Sequence, residues 1–349
     1  MSDSSPVVFF GCKNITKTVM EVFLNEISGI DYLITISPQI AELNKVAGYE
    51  DLTTFASENN IKCYVAKSYS LKDEIDLEAI SNLRLNIGLV IGWQRLIPSK
   101  ILESSNIGVF GMHGSSANLP KGRGRSPLNW SLILDEEKFY TNLFKYEDNI
   151  DGGSIVSSKC FDIIKDDTIE TLHFKNLLSM IEILKKNFNN LNKGKIKLKE
   201  QNKKGISYYP RRDPSDGIID WNLSTRHILN FSRALTLPFP GSFTFLDNQK
   251  VMIWRMAEFS KSFSYSDSQP GEILEVFYNK KFLVKTTDSV IIVHDYEIES
   301  LDNLVKGKIF KSVNFTKSLY EIIERYPKFI KPNQMEVTLE NIKEFYSKK

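Results

Sequence analysis

The sequence predicts an α/β protein in which a Rossmann-like, mostly parallel sheet with helices on both faces precedes a smaller, β-rich and barrel-like C-terminal domain. Up to about residue 191, short β-branched or aromatic runs alternate with amphipathic stretches, which is typical of parallel strands joined by helices. The stretch LNIGLVIGW at 85–93 is almost continuously apolar, as expected of a central strand buried on both faces. Beyond residue 206, short strand-like runs separated by turns indicate a small β domain.

The first half of the predicted sheet is built from segments that alternate strand, helix, strand, helix, strand. In chain order these are 7–10, 18–27, 32–37, 50–60 and 62–66. The central strand and then a strand at 105–113 follow, and the second of these delivers His113 to its carboxyl end. The position is important because ligands of open parallel sheets bind in the crevice outside the carboxyl ends of the strands.

Two later segments carry helix signals. Ser126 is a candidate N-cap and Pro127 occupies the first helical position of a short helix. A long amphipathic helix follows at 167–188, and either Asp167 or Thr168 is suited to cap it.

Between these helices, 139–147 and 154–163 read as antiparallel strands joined by the turn signal DNIDGG at 148–153. The turn contains Asp151. An imidazole at His113 with a nearby carboxylate would suffice for acid–base chemistry near neutral pH, since the carboxylate fixes the ring and raises its basicity. Spacing alone favours the plainer interpretation, in which His113 is an ordinary polar residue and Asp151 a turn residue.

Composition shifts along the chain predict the domain organisation. Residues 1–191 form the first domain, and the lysine-rich, glycine-punctuated segment 192–205 is a solvated linker. Residues 206–300 form a helix plus the β-rich domain, and 301–349 form a mixed helical tail without a motif.

The overall composition excludes several classes of protein. The chain has 349 residues, 42% of them hydrophobic, enough for two cores, and its net charge of +2 gives no indication of a nucleic-acid partner. The three cysteines are widely spaced, which predicts reduced, buried thiols and no zinc site: Cys12, Cys63 and Cys160. No leader or membrane-spanning pattern is present. We expect a soluble, cytoplasmic protein without a membrane partner.

Common ligand motifs are missing near the first strand and at the histidine. Gly11 offers one glycine where a dinucleotide-binding turn needs three, and the chain has no phosphate-binding GxxxxGK[ST] sequence. The HGSS sequence at 113–116 lacks the second glycine of a GxSxG nucleophile elbow. NAD binding, ATP binding and serine hydrolysis are therefore not indicated.

Two long motifs give the chain a family resemblance. The sequence GMHGSSANLPKGRGRSPLNW at 111–130, followed by NIDGGSIV, resembles the HxSLLPxxRGxxPxxW…DxG pattern of the formyltransferases that use formyl-tetrahydrofolate. The segment 211–246 is similar to the family's RxPxDGxIDWxxxAxxIxNxIRALxxPxPGA stretch. With FFG near the N-terminus and GWQRLIP at 92–98, the resemblance covers residues 7–300 and makes 1–191 the catalytic domain.

The resemblance implies a catalytic asparagine, histidine and aspartate, of which His113 and Asp151 carry over. Gly111 stands where the family has its asparagine, and the longer loop that follows contains Asn118. We predict that Asn118 or a backbone N–H replaces the missing amide. As the resemblance implies, a substrate amine attacks the formyl carbon, protonated His113 and an amide stabilise the oxygen that becomes negative, and Asp151 is the base or relay.

The resemblance also predicts ligand contacts. Trp93, Gln94, Leu96 and Asp148 are expected to contact formyl-tetrahydrofolate, mostly through main-chain groups, although Trp93 and Leu96 equally suit ordinary core positions. No metal is expected.

The basic, glycine-rich loop after the histidine suits a diphosphate. Lys121, Arg123 and Arg125 are its cations, and a solvated loop is the alternative.

The acceptor amine is predicted to belong to a nucleotide-linked amino deoxysugar of surface-polysaccharide biosynthesis, such as lipopolysaccharide or O-antigen. Methionyl-tRNA is the alternative acceptor, but a chain with net charge +2 fits poorly with neutralising many phosphates, so a nucleic-acid partner is not expected. A catalytically impaired module that binds folate or a nucleotide sugar, and a hydrolytic relative that releases formate, are further alternatives. The resemblance also suggests a homodimer.

Overall fold

The computed structural model describes residues 6–260, 262–263 and 265–324 of the chain, which contain two large sheets. Twelve of the fourteen described strands form these sheets, and β6 and β9 form a separate two-stranded sheet. The strands are β1 (Val7–Phe10), β2 (Tyr32–Ile36), β3 (Lys62–Ala66), β4 (Ile87–Val90), β5 (Gly108–Ser115), β6 (Arg123–Gly124), β7 (Lys138–Lys145), β8 (Ile155–Asp162), β9 (Tyr208–Tyr209), β10 (Ser242–Leu246), β11 (Gln249–Glu258), β12 (Ile273–Val276), β13 (Phe282–Lys285) and β14 (Val290–Glu297).

Helices cover both faces of the first sheet and pack against the second. They are α1 (Asn14–Glu26), α2 (Pro38–Leu43), α3 (Thr53–Glu58), α4 (Glu74–Ser81), α5 (Ser99–Glu103), α6 (Pro127–Ile133), α7 (Ile169–Asn192), α8 (Thr225–Leu235) and α9 (Phe315–Glu324), with a 3-10 turn at Pro214–Gly217. Within the described ranges, none of these helices combines the length and the apolar character needed to cross a bilayer.

The N-terminal sheet has the strand order β3-β2-β1-β4-β5-β7-β8. Strands β1 to β5 run parallel, whereas β7 is antiparallel to β5 and β8 is antiparallel to β7. Apolar side chains of α1 and α7 cover one face, and those of α2, α4 and α5 cover the other. The predicted α/β fold class is confirmed.

Sequence signals explain where several elements begin. Thr168 caps α7 by accepting a hydrogen bond from the Thr171 N–H, while Asp167 accepts from the Thr171 hydroxyl. Both predicted residues therefore support this helix start. Ser126 does precede α6 and Pro127 is its first residue, but Ser126 has a left-handed φ of 54° and makes no cap hydrogen bond. Its hydroxyl instead accepts from the Arg212 N–H.

The C-terminal sheet is antiparallel, with the order β10-β11-β14-β13-β12, and forms an open half-barrel. Its buried face packs against α8, and the same hydrophobic cluster continues into the first part of the chain. Trp130 of α6 and Leu172 of α7 share this cluster with Trp221, Val251 and Phe282. The two sheets are therefore joined by one continuous core and not merely by a tether.

The segment 192–205 is attached to the N-terminal sheet along part of its length. Lys199 exchanges two backbone hydrogen bonds with Ile155 at the start of β8, at 2.8 and 2.9 Å. Ile196 and Leu198 pack against the core beneath α7. This differs from the solvated linker predicted from composition, because two apolar side chains and one pair of backbone hydrogen bonds to β8 lie among the lysines.

The segment after β14 includes α9, which packs onto the shared core. Phe315, Leu319 and Ile322 are buried there at helical spacing. The mixed helical tail predicted for 301–349 is thus helical at 315–324, whereas 301–314 form no helix and 325–349 lie outside the described residues.

The cysteine prediction was partly wrong. Cys12 is buried, but Cys63 and Cys160 are exposed. These two lie on β3 and β8, the edge strands of the N-terminal sheet, where apolar neighbours in sequence do not ensure that each side chain is covered.

The topology opens a crevice where β1 lies between β2 and β4, because the connections from the two sides diverge there. Gly11 lies at this point, and a Cβ atom on it would collide with Thr16 and with the Ile91 carbonyl. The Thr16 hydroxyl donates a 2.7 Å hydrogen bond to that carbonyl. Close approach of β1, α1 and the end of β4 therefore requires glycine.

We expect Gly11→Ala to destabilise the protein by about 1–3 kcal/mol, since the methyl group overpacks a site that cannot expand. Urea unfolding followed by circular dichroism measures the loss. Gly29→Ala is the matched control, because nothing lies within 4 Å of a Cβ at that position. Equal midpoints for the two variants would contradict the crowding described.

Candidate active site

His113 lies in β5 with both ring nitrogens close to oxygen acceptors. Nδ1 is 3.4 Å from Oδ2 of Asp151, and Nε2 is 2.9 Å from the carbonyl oxygen of Gly122. Because strand side chains alternate and Met112 packs on the α7 face, His113 points to the opposite face. Two acceptors suit a ring that carries a proton on each nitrogen, so the site can hold an imidazolium.

Asp151 is held in a turn whose backbone is tightly constrained. Its φ of 47° lies in the left-handed region, which is strained for a residue other than glycine. Oδ2 also accepts a 2.9 Å hydrogen bond from the Gly124 N–H. A Cβ at Gly153 would collide with the Lys145 carbonyl, so the DGG sequence is needed to bring the carboxylate to the histidine.

Gln201 fixes the turn from the segment predicted as a linker. Its side-chain amide donates to the carbonyls of Asp151 and Gly153, both at 2.8 Å, and its oxygen accepts from Arg123 Nη2 at 2.7 Å. The Arg123 side chain is only 5% exposed. Arg123 therefore supports the turn from inside the protein, in contrast to its predicted place among the diphosphate contacts.

The other two cations of the loop are more accessible to solvent than Arg123. Lys121 is exposed and Arg125 is half-buried. Lys13, which sequence reasoning missed, follows β1, and burial together with the nearby charge of Arg125 lowers the pKa of its ammonium to about 8. Lys13 and Arg125 are thus two basic side chains close enough for the charge of one to affect the other.

Asn118 lies away from the His113 ring in its hydrogen bonding. Its side chain is exposed, and its oxygen lies 3.5 Å from the hydroxyl oxygen of Ser158 on β8. The Ser158 hydroxyl donates to Asn142, whose amide donates to the His113 backbone carbonyl at 3.3 Å. The contacts of the Asn118 side chain therefore lead toward β8 and not to the His113 ring.

The ring of Tyr146 fills the space that a side chain at residue 111 would need. A Cβ on Gly111 would collide with Cε2 of Tyr146 and lie 2.9 Å from Cζ. Sequence reasoning missed Tyr146, since nothing in the spacing indicates that a residue after β7 lies over β5.

The predicted cofactor segment provides open polar groups and an exposed apolar surface. The indole N–H of Trp93 is buried without a partner among the described residues, and Leu96 is 49% exposed. The Gln94 N–H donates to the Tyr69 hydroxyl at 2.9 Å, whereas the backbone of 95–97 bonds to no other backbone group in the described part of the chain. The segment suits a flat, polar-edged ligand.

Asp148 lies beside this segment. It is exposed, and its carboxylate accepts a 2.6 Å hydrogen bond from Ser99, the first residue of α5. This hydrogen bond therefore links the turn that carries Asp151 to the helix that directly follows the 93–97 segment. Over the described ranges, no group of three or more His, Cys, Asp or Glu residues is placed to hold a metal ion.

Comparison with known families assigns the class of protein that this fold and site define. A family model described as "Formyl transferase" matches residues 7–180, and one described as "Formyl transferase, C-terminal domain" matches residues 212–314. The chain belongs to the formyl transferase family, and the prediction of a formyl-group transferase is confirmed at that level.

Two relatives are similar to this chain over most of its length. The bifunctional polymyxin resistance protein ArnA of Wigglesworthia glossinidia brevipalpis is 33% identical over 256 residues, which are 71% of this chain and 38% of the relative's length. A methionyl-tRNA formyltransferase of Fusobacterium nucleatum is 26% identical over 310 residues, 87% of this chain and 97% of the relative.

A solved structure shows the same fold. It is the N-formyltransferase of Helicobacter canadensis in complex with folinic acid and dTDP-3-aminofucose, with a TM-score of 0.61 and 19% identity. The similarity covers 84% of this chain and 99% of that one.

We expect Gln201→Ala to loosen the 148–153 turn without unfolding the sheet, because two carbonyls and the Arg123 guanidinium lose a buried partner. Hydrogen-exchange mass spectrometry should show exchange at least about tenfold faster in the peptides containing Gly124 and the turn. The exposed neighbour Asn202→Ala is the control. Unchanged exchange in the Gln201 variant would show that the turn is held by other contacts.

Proposed function

We propose that the protein transfers a formyl group from formyl-tetrahydrofolate to the primary amine of a nucleotide-linked amino deoxysugar. The observation that carries this proposal is the pairing of His113 with Asp151 beside the open 93–97 segment, in a chain of the formyl transferase family. We further propose that the enzyme is cytoplasmic and serves surface-polysaccharide biosynthesis.

The hydrogen-bonding groups and the exposed apolar surface of residues 93–97 fit the proposed co-substrate. Formyl-tetrahydrofolate supplies a formyl group on nitrogen, and its pterin needs hydrogen-bond partners at its edge together with apolar cover. The open backbone groups of 95–97 and the unpartnered Trp93 N–H supply the first, and exposed Leu96 supplies the second. Asp148 and Ser99 close one end of the segment.

In this proposal His113 and Asp151 stabilise the developing charge and accept the proton that is released during the transfer. His113, protonated on both nitrogens, stabilises negative charge that develops on the formyl oxygen. Asp151 accepts the proton that the attacking amine must lose, directly or through one water, while it keeps the ring oriented. The Gln201 and Gly124 hydrogen bonds hold the carboxylate for both tasks.

The charge distribution supports a nucleotide sugar as acceptor. Lys13 and Arg125 lie close enough to repel each other, and Lys121 is exposed on the same loop as Arg125. A bound diphosphate would favour the charged form of Lys13, whose pKa is lowered by burial and by the charge of Arg125. Arg123 acts in this proposal as a positioning residue because it is buried. The Helicobacter canadensis structure was solved with a dTDP-linked amino sugar, which agrees with this choice.

Methionyl-tRNA is the second candidate acceptor. It is supported by the methionyl-tRNA formyltransferase relative, which aligns over 97% of its own length. The net charge of +2 weighs against it, because tRNA binding relies on many phosphate contacts.

Replacing His113 or Asp151 by Asn should lower kcat for formyl transfer by about 10²–10⁴-fold, as expected for loss of acid–base catalysis. Binding of formyl-tetrahydrofolate, measured by calorimetry, should persist. His294→Asn, in the C-terminal sheet, is the control. If neither variant lowers formyl transfer to any amino sugar while the ligands still bind, the enzymatic proposal fails.

A thermal-unfolding panel of dTDP, UDP, GDP and tRNA should identify the acceptor class. The correct nucleotide should stabilise the protein by about 2.7 kcal/mol at a hundredfold excess over Kd, and Arg125→Met should abolish the shift. Selective, strongly salt-dependent stabilisation by tRNA would instead establish the second candidate.

A further inference from the structure

Tyr146 occupies the space that a side chain at residue 111 would fill. The ring carbon Cε2 overlaps the position of a Cβ on Gly111, and Cζ lies 2.9 Å from it. The phenolic oxygen is attached to Cζ, so it lies one bond further along the same side of β5.

The strand register places that oxygen on the face of the catalytic histidine. Residues 111 and 113 are two apart on β5 and therefore share a face. Opposite them on β7, Phe144 pairs with Gly111, and Tyr146 stacks on Phe144 with ring centroids 5.4 Å apart. The Tyr146 N–H donates to the Val109 carbonyl at 2.7 Å, which fixes the backbone of the tyrosine against β5.

Tyr146 also lies near both parts of the candidate site, the 93–97 segment and the His113–Asp151 pair. Its ring packs against the cluster that contains Trp93 and Tyr69, and Tyr69 holds the Gln94 N–H of the cofactor segment. Burial, followed by the negative charge of Asp151, raises the pKa of the Tyr146 hydroxyl. The hydroxyl therefore keeps its proton and is a donor.

Other candidate donors near the histidine are engaged elsewhere or lie at the surface. The two nitrogens of His113 face Asp151 and the Gly122 carbonyl. The Asn142 amide donates to the His113 carbonyl, and the exposed Asn118 side chain has its oxygen 3.5 Å from the Ser158 hydroxyl on β8. Among these groups, Tyr146 best combines a neutral O–H donor with a position next to the catalytic pair.

We propose that Tyr146 is a catalytic residue whose hydroxyl donates a hydrogen bond to the formyl oxygen during transfer, in the position that a side chain at Gly111 would otherwise reach. The proposal rests on the formyl transfer proposed above. It assigns the role predicted for Asn118 to a residue that the sequence analysis did not select.

The step balances without any further reactant. The amine lone pair forms a bond to the formyl carbon, and the C=O electron pair moves onto the oxygen. The Tyr146 O–H stabilises that oxygen by a hydrogen bond, and the imidazolium of His113 stabilises it only through its nearby positive charge. The pair then returns and the bond from carbon to the folate nitrogen breaks. The proton lost by the amine passes to Asp151 and finally to the folate nitrogen, while Tyr146 keeps its own proton throughout.

Tyr146→Phe removes only the hydroxyl, so it tests the proposal directly. We expect kcat to fall by about 10²–10³-fold, the usual cost of one oxyanion donor, with KM values changed less than about threefold and the melting temperature retained. Tyr296→Phe, which removes a half-buried hydroxyl in the C-terminal sheet, is the matched control.

A donor exchange adds a second test. Gly111→Asn alone should be inactive or unstable, because its side chain collides with the Tyr146 ring. Combined with Tyr146→Ala, the new amide has room, and the double variant should exceed Tyr146→Ala in kcat by at least about tenfold, part of the value of one donor.

The controls separate failure of this inference from failure of the proposed function. If Tyr146→Phe keeps wild-type kcat while His113→Asn is inactive, the function stands and the inference is wrong. If Asn118→Ala lowers kcat and Tyr146→Phe does not, Asn118 is the donor. If none of the three changes affects transfer, the proposed function itself fails.

Discussion

The candidate site depends on the register between β5 and β7. Gly111 of β5 pairs with Val90, the last residue of β4, and with Phe144 of β7. Because β7 runs antiparallel to β5, it continues one residue past this level and ends at Lys145, opposite Phe110. The chain therefore leaves β7 beside the crevice at the carboxyl edge, and the turn that follows returns Asp151 to His113. A shift of one residue would turn every side chain of β7 to the opposite face and would separate the pair.

This register is compatible with close packing because glycines occur where backbone and rings meet. The Tyr146 ring packs against Gly111, the Lys145 carbonyl lies against Gly153, and the backbone after β4 lies against Gly11, each in the space that a Cβ atom would fill. At each of these positions the absence of a side chain allows two segments around the candidate site to pack closely together. The conformational entropy lost at glycine is offset by the hydrogen bonds and ring contacts that the approach permits.

The sequence was informative where one segment determines its own structure. Continuous apolar runs identified the buried strands. The pairing of His113 with Asp151 was predicted from the family resemblance, because a strand end and a DGG turn alone favoured the plainer interpretation. Tyr146 and Gln201 could not be predicted, because their positions depend on which strands pair and on a lysine-rich segment returning to the sheet. Cys63 and Cys160 were misjudged for a related reason, since a local pattern does not reveal which strands form the edges.

The hydrophobic core shared between the two sheets bears on how such enzymes diversify. Trp130 and Leu172 come from the first domain in sequence but pack with Trp221 and Val251 of the second. A recombination event at 192–205 would cut across this core and leave large apolar side chains facing the wrong partners. Acceptor specificity in this architecture is therefore expected to evolve by substitution within crevice loops, whereas exchange of whole C-terminal halves would require compensating changes in α6 and the first turns of α7.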